Sequence, residues 1–193
     1  MERLILLTAF GPFPGVERNP SREVAAALER EPPPGVRILF RELPVTFLGA
    51  PPAIDAFLAE HKRERPAALV GIGVQRRATF RLERRARGRY DSERPDNDGL
   101  APVQLGLDVG AELSTRVDLE RLAEGLRRAG APAVEISTDA GGYVCERTYH
   151  QLLLRGEELD LPTLFLHIPP ATAMEPAEQV PFVRAMLELL PLK

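Results

Sequence analysis

The sequence predicts an α/β fold, a single-domain α/β/α sandwich with a mostly parallel central sheet. Short, uniformly apolar runs at Leu4–Ala9, Ala67–Ile72 and Leu161–Ile168 have the composition of strands buried on both faces. Between them fall stretches with apolar residues at helical spacing, so strands and helices alternate along the chain. The 193 residues, 44% of them hydrophobic, suffice for one substantial core.

Leu4–Ala9 closes at Gly11-Pro12, a pair that breaks a strand. Asn19-Pro20-Ser21 then marks a helix start. Asn19 is a good N-cap, and Pro20 has no N–H to lose at the first helical position. Val24, Ala27 and Leu28 share a face of this helix, which runs to Arg30. Val36–Leu43 is a second strand, in which Val36, Ile38 and Phe40 alternate with Arg37, Leu39 and Arg41. Pro51–His61 is a helix with Ile54, Phe57 and Leu58 at core spacing, and Ala67–Ile72 is the third strand. Thr79 to Leu113 interrupts the alternation. Thr79–Arg84 alternates as a partly exposed strand does, and Pro95-Asp96-Asn97-Asp98-Gly99 is a strong turn signal. This stretch, about 79–113, reads as a β-rich excursion rather than a second domain. Asp118 then caps a helix to Ala129, Val134–Ser137 is a strand and Tyr143–Leu154 a helix. Leu161–Ile168 is the last strand. Glu178–Leu190 closes the chain as a helix whose start is blurred by Pro176 and Pro181.

A net charge of −3 argues against a dedicated nucleic-acid binder. The arginines from Arg76 to Arg89 are interrupted by Glu83 and followed by Asp91, Glu93, Asp96 and Asp98, which suggests a solvated or interface-forming hairpin. One cysteine cannot form an internal disulfide, and the apolar run Leu4–Phe10 is too short for a signal segment or a membrane span. A cytoplasmic protein is expected. Lys62 and Lys193 are the only lysines; with 19 prolines this points to genome bias before thermophily. Three scattered histidines and one cysteine lack metal-ligand spacing, so neither metal nor cofactor is expected.

The single Cys145 follows Ser137-Thr138-Asp139-Ala140-Gly141-Gly142-Tyr143-Val144, an apolar run, a glycine turn and then a helical pattern. A thiol in a helix's first turn feels unpaired N–H groups and the positive end of the macrodipole, both of which favour thiolate. His167 ends another apolar run, so the pair has the order of a cysteine nucleophile and a distant base. The alternative is an inert core cysteine, the commoner fate of a lone thiol. Such a pair needs a group to orient the imidazole. Glu83 is the best-placed acid, although periodicity alone makes it a surface carboxylate paired with Arg81, Arg84 or Arg85. Asp139 better suits an Asx-type brace of the glycine turn. Gly141-Gly142 either exposes N–H groups to an oxyanion or merely turns the chain. His61 looks solvent-facing. His150 lies five residues beyond Cys145, about 140° past a full helical turn, and so diverges from it. Phe10 and Phe13 flank the first strand-end turn, where they either wall a small pocket or pack the loop.

Taken in order, these segments resemble the pyroglutamyl peptidase I, or pyrrolidone carboxyl peptidase, family from about Leu4 to Leu190. The resemblance is carried by Thr8-Ala9-Phe10-Gly11-Pro12-Phe13 with Asn19-Pro20-Ser21, by Val70–Gly73 leading to Thr79–Glu83, and by Asp96-Asn97. The Ser137–Cys145 segment and Phe165-Leu166-His167-Ile168-Pro169-Pro170 complete it. It implies a cytosolic, metal-independent cysteine peptidase that removes N-terminal pyroglutamyl residues through a thioacyl intermediate. Cys145 is then the nucleophile, His167 the base and later acid, and Glu83 the orienting carboxylate. Phe10 and Phe13 wall the lactam, and Asn19, Thr46, Gly71 and Val144 complete the substrate-binding set. Pyroglutamylated peptides and other copies of the chain, as tetramer or dimer, are the implied partners. Many bacterial members carry Gly-Gln-Ala-Gly-Gly where this chain has Gly71-Ile72-Gly73-Val74-Gln75-Arg76-Arg77, with Gln75 two positions late. An oxyanion-assisting arginine of the family falls near Arg89 or Arg94. A thiol-dependent hydrolase of another small amide and a non-catalytic α/β binding module are the competing readings.

Overall fold

The computed structural model describes residues 2–90, 92–107 and 110–191. Strands β1 (Arg3–Phe10), β2 (Val36–Leu43), β3 (Ala68–Val74), β4 (Phe80–Glu83), β7 (Val134–Ser137) and β8 (Thr163–Ile168) form one sheet in the order β2-β1-β3-β8-β4-β7. β5 (Arg85–Ala86) and β6 (Leu113–Ser114) form a separate short ladder. The helices are α1 (Pro20–Arg30), α2 (Ala50–His61), α3 (Pro102–Leu105), α4 (Leu119–Arg128), α5 (Val144–Leu159) and α6 (Pro176–Glu188).

Side chains alternate across the sheet, so each buried strand feeds two cores. Ile5, Leu7 and Ala9 of β1 belong to the core that also holds Val24 and Leu28 of α1, Leu122 and Leu126 of α4, and Val183 and Met186 of α6. Leu4, Leu6 and Phe10 face Ile54 and Phe57 of α2 and Tyr149, Leu152 and Leu153 of α5. This is the predicted helix–sheet–helix layering. Among the described residues the sheet pairings are parallel except that of β4 with β8, so strand direction reverses at that seam.

β4 corrects the sequence reading in one respect. Its alternation is real, but both faces are covered: Phe80 and Leu82 enter the α1/α4/α6 core, while Glu83 is fully buried on the other side. Among its described residues, the rest of the excursion has the β5–β6 ladder and the single turn of α3 as regular structure. Asp96 organises its loop, accepting the N–H groups of Phe47 at 2.8 Å, Asp98 at 2.9 Å and Leu100 at 3.0 Å. Asn97 Nδ2 donates to the Pro12 carbonyl at 3.0 Å, tying this loop to the end of β1. The arginines of this region lie at the surface, with Arg76, Arg77 and Arg89 exposed. Arg84 pairs with Glu120 at 2.5 Å and Arg85 with Glu112 at 3.0 Å in solvated ion pairs, while Arg87 reaches the buried Glu146 at 3.0 Å.

Helix α5 runs to Leu159, beyond the expected Leu154. Gly156 lies inside it because a Cβ there would collide with the Thr163 side chain. No helix among the described residues is long and apolar enough to cross a membrane.

Candidate active site

The reversal of strand direction between β8 and β4 creates the site. His167 stands on β8 with Arg81 directly opposite it on β4, and Glu83 follows two residues on, along the same face. Glu83 Oε1 lies 2.7 Å from His167 Nδ1 and accepts Arg81 Nε–H at 3.0 Å. The surface reading of Glu83 is thereby overturned: the carboxylate has no exposure, although Arg81 does pair with it. Tyr149 donates its hydroxyl to the Glu83 carbonyl at 2.8 Å and so fixes the strand beneath the carboxylate.

Cys145 is the second residue of α5, which packs over β3 and β8 and brings the thiol down to His167. Cys145 is partly exposed, and its sulfur and the imidazole both border Gly73. Burial pushes the His167 pKa down, but the favourable interactions with Cys145 and Glu83 outweigh it and push it up to about 9. Sequence reasoning missed Gly73. A Cβ there would lie 3.1 Å from Cys145 Sγ, 3.1 Å from His167 Cδ2 and 3.1 Å from Phe165 Cε1. The two glycines at alternate positions of β3 were its available signal.

The turn before the nucleophile is latched at both glycines. Gly141 (φ +99°) donates its N–H to Asp139 Oδ1 at 2.9 Å, the Asx brace expected there. Gly142 (φ +62°) donates to Glu146 Oε2 at 2.5 Å, and Glu146, fully buried, also holds the Arg87 guanidinium. The ladder of α5 begins with Glu146 and Arg147 donating to the Tyr143 carbonyl. The N–H groups of Val144 and Cys145 precede it and so lie outside the helix's own bonding.

The remaining predicted residues divide. Phe10 is buried and packs on Phe165 at 6.4 Å, and Phe165 in turn meets the His167 ring at 5.0 Å. Phe13 is half-buried with the Arg94 guanidinium 5.5 Å above it; the same guanidinium lies 4.4 Å over Tyr143. Of the two candidate arginines, Arg94 is therefore the one at the nucleophile turn. Thr46 accepts the Gly49 N–H at 3.1 Å beside a cavity of about 450 Å³ lined by Gly11, Pro12, Val45 and Asn97. Three of the residues expected to contact substrate have structural partners within the chain. Asn19 turns its polar atoms inward, accepting from Ser21 and donating to the Gly11 carbonyl at 2.9 Å. Gly71 lies within the sheet under Phe165 and makes room for that ring. The Val144 side chain is core, which leaves its backbone as the group facing the turn.

The other histidines stand apart. His150 meets the Ala111 carbonyl at 2.9 Å. His61, half-buried rather than solvent-facing, pairs with Glu64 at 2.7 Å and packs on Phe57. A larger cavity of about 520 Å³ lies between α2 and the far end of α5, lined by Asp55, Leu58, Arg155 and Leu159, remote from the thiol. The described residues contain no group of His, Cys, Asp and Glu able to hold a metal ion.

A thiol, an imidazole and a buried carboxylate in this order of contact, on an α/β sheet, define the class of cysteine-type hydrolases. The sequence profile of the pyroglutamyl peptidase family matches residues 3–185, and this chain belongs to that family. A pyrrolidone-carboxylate peptidase of Gloeobacter violaceus is 36% identical over 169 residues, spanning 86% of this chain and 80% of the relative. One from Yersinia pestis is 34% identical over 172 residues, spanning 86% and 78%. The crystal structure of the pyrrolidone carboxyl peptidase of Fervidobacterium islandicum superposes with a TM-score of 0.83 at 28% identity, covering 97% of both chains.

Proposed function

We propose that the protein is a cysteine exopeptidase that removes N-terminal pyroglutamyl residues from peptides, with Cys145, His167 and Glu83 as its catalytic residues. One observation carries this reading: the His167 imidazole lies between the buried Glu83 carboxylate, 2.7 Å from Nδ1, and the partly exposed Cys145, whose sulfur flanks Gly73 together with the imidazole. Cys145 sulfur attacks the pyroglutamyl carbonyl carbon, and the N–H groups at the start of α5 hold the oxyanion. His167 passes its proton to the departing amine, and the acyl group stays on sulfur as a thioester. His167 then takes a proton from water, whose oxygen attacks the thioester and releases pyroglutamate. Glu83 holds the imidazole through Nδ1 and stabilises its positive charge. Phe13, Thr46 and the backbone of Val144 border the acyl group, while Phe10, Asn19 and Gly71 shape the scaffold behind it.

A neutral lactam has no amine or carboxylate to anchor, so recognition rests on shape and amide hydrogen bonds. The second reading, a different small acyl group, has its own support: Gln75 donates to the Thr79 carbonyl, which occupies the one glutamine near the family's pocket position. We also propose a single domain in a reducing, cytoplasmic setting that suits its lone free thiol, and self-association through surface apolar residues such as Leu48 and Val103. Hydrolysis of pyroglutamyl-naphthylamide, compared with the prolyl and glutaminyl amides and with and without iodoacetamide, tests the assignment. Cys145→Ser is expected to keep the fold and lose all but about a hundredth of the activity or less. Substantial turnover by that variant, or a preference for another amide, overturns it.

A further inference from the structure

We propose that Arg81 is a positioning residue of this catalytic centre, holding the Glu83 carboxylate toward His167 and joining it to the turn that presents the thiol. The proposal rests on the catalytic reading above and on three contacts. Arg81 Nε donates to Glu83 Oε1 at 3.0 Å, the same oxygen that meets His167 Nδ1 at 2.7 Å. The other oxygen, Oε2, is buried and has no hydrogen-bond partner among the described residues. The carboxylate is thus oriented through one atom shared by imidazole and guanidinium. At its far end Arg81 donates Nη2–H to Ser137 Oγ at 2.9 Å and to the Asp139 carbonyl. Asp139 in turn accepts the Gly141 N–H and pairs with Arg87, which holds Glu146 and, through it, Gly142. A continuous chain of charged and polar groups therefore runs from the imidazole to the glycine turn.

Register adds an electrostatic role. Arg81 stands directly across the β4–β8 ladder from His167, and like charges at facing positions repel. The charged or titratable groups around the imidazole are Cys145 from α5 and Glu83 and Arg81 from β4, with Glu135 of β7 reaching Arg81 at 3.6 Å. β3 offers Gly73 opposite His167. Arg81 is the one cation in this set. It offsets part of the pull that Glu83 exerts on the imidazolium proton and so eases the transfer of that proton to the leaving amine.

The experiment measures kcat and KM on pyroglutamyl-naphthylamide across pH for wild type, Arg81→Met, Arg81→Lys and Ser137→Ala. The rate of Cys145 alkylation by iodoacetamide is followed across the same range by mass spectrometry. Arg81→Met is expected to lower kcat about tenfold or more, the scale of a small misplacement of catalytic groups, with little change in KM. Its alkaline limb in kcat moves to higher pH, and the inflection of the alkylation rate that reports the imidazolium moves the same way, because the imidazolium keeps its proton longer without the opposing cation. Arg81→Lys returns the limb toward wild type and restores part of kcat. Ser137→Ala, which removes an anchor and no charge, lowers kcat with the limb in place, and it serves as the test if Arg81→Met does not fold. Arg81→Met profiles that superimpose on wild type, a fall confined to KM, or an unchanged kcat in Ser137→Ala overturn the proposal. Should wild type ignore the pyroglutamyl amide while its alkylation profile still shifts on Arg81→Met, the acyl assignment fails and the positioning role stands.

Discussion

At the scale of single residues, two glycines on the same face of β3 have opposite duties. Gly71 faces the core: a Cβ there would sit 2.5 Å from Phe165 Cδ2 and 2.9 Å from Leu152 Cδ1. Gly73 faces the chemistry, with 3.1 Å to Cys145 Sγ and 3.1 Å to His167 Cδ2. Gly71→Ala is expected to cost about 1–3 kcal/mol of stability, the usual range for overpacking, read by urea denaturation. Gly73→Ala is expected to lose about tenfold or more in kcat, because thiol and imidazole must part by a few tenths of an ångström. Its stability should fall less than that of Gly71→Ala. The reverse order of effects would show that β3 does not divide this way. Neither duty is visible in sequence, where the two residues are the same letter two positions apart. The neighbours that distinguish them come from α5 and β8.

At the scale of elements, helix starts were legible because their chemistry is local. Asn19 caps α1 by accepting the Ser21 N–H at 3.1 Å, as Asn-Pro-Ser predicts. The same side chain holds the Gly11 carbonyl, so it also sets the loop between β1 and α1. Asn19→Ala is expected to cost about 1–2 kcal/mol in chemical denaturation, the upper range for a lost cap, since two partners are freed. A cost near zero would mean water replaces both. The end of α5 was not legible, because Gly156 there is set by the approach of Thr163 and not by helix termination. β4 was read as half-exposed for a related reason. Alternation reveals that a strand has a polar face but not whether that face is covered, and here His167 and α5 cover it.

At the scale of the whole molecule, the buried His167–Glu83 pair couples the site to stability. The folded imidazole pKa is raised to about 9 from an ordinary 6.5. The folded state therefore binds the proton more tightly, and its contribution is fully present below about pH 6.5 and is lost as pH rises through about 9. The melting temperature is expected to decline across that window, with a flatter decline in Glu83→Gln, whose amide carries no charge to hold the imidazolium. Equal slopes in the two proteins would remove His167 as the source. By itself, the sequence determined the alternation of strands and helices, the glycine turn ahead of Cys145 and a short set of candidate groups. Those are properties of adjacent residues, governed by backbone sterics, capping and hydrophobic period. Only the tertiary structure decided that Glu83 is buried against His167 across 84 positions of chain, that Arg81 faces the same imidazole, and that His61 and His150 stand elsewhere. The antiparallel pairing of β4 with β8 makes those choices. Pairing partner and register depend on how distant apolar faces pack, which no local stretch of sequence records.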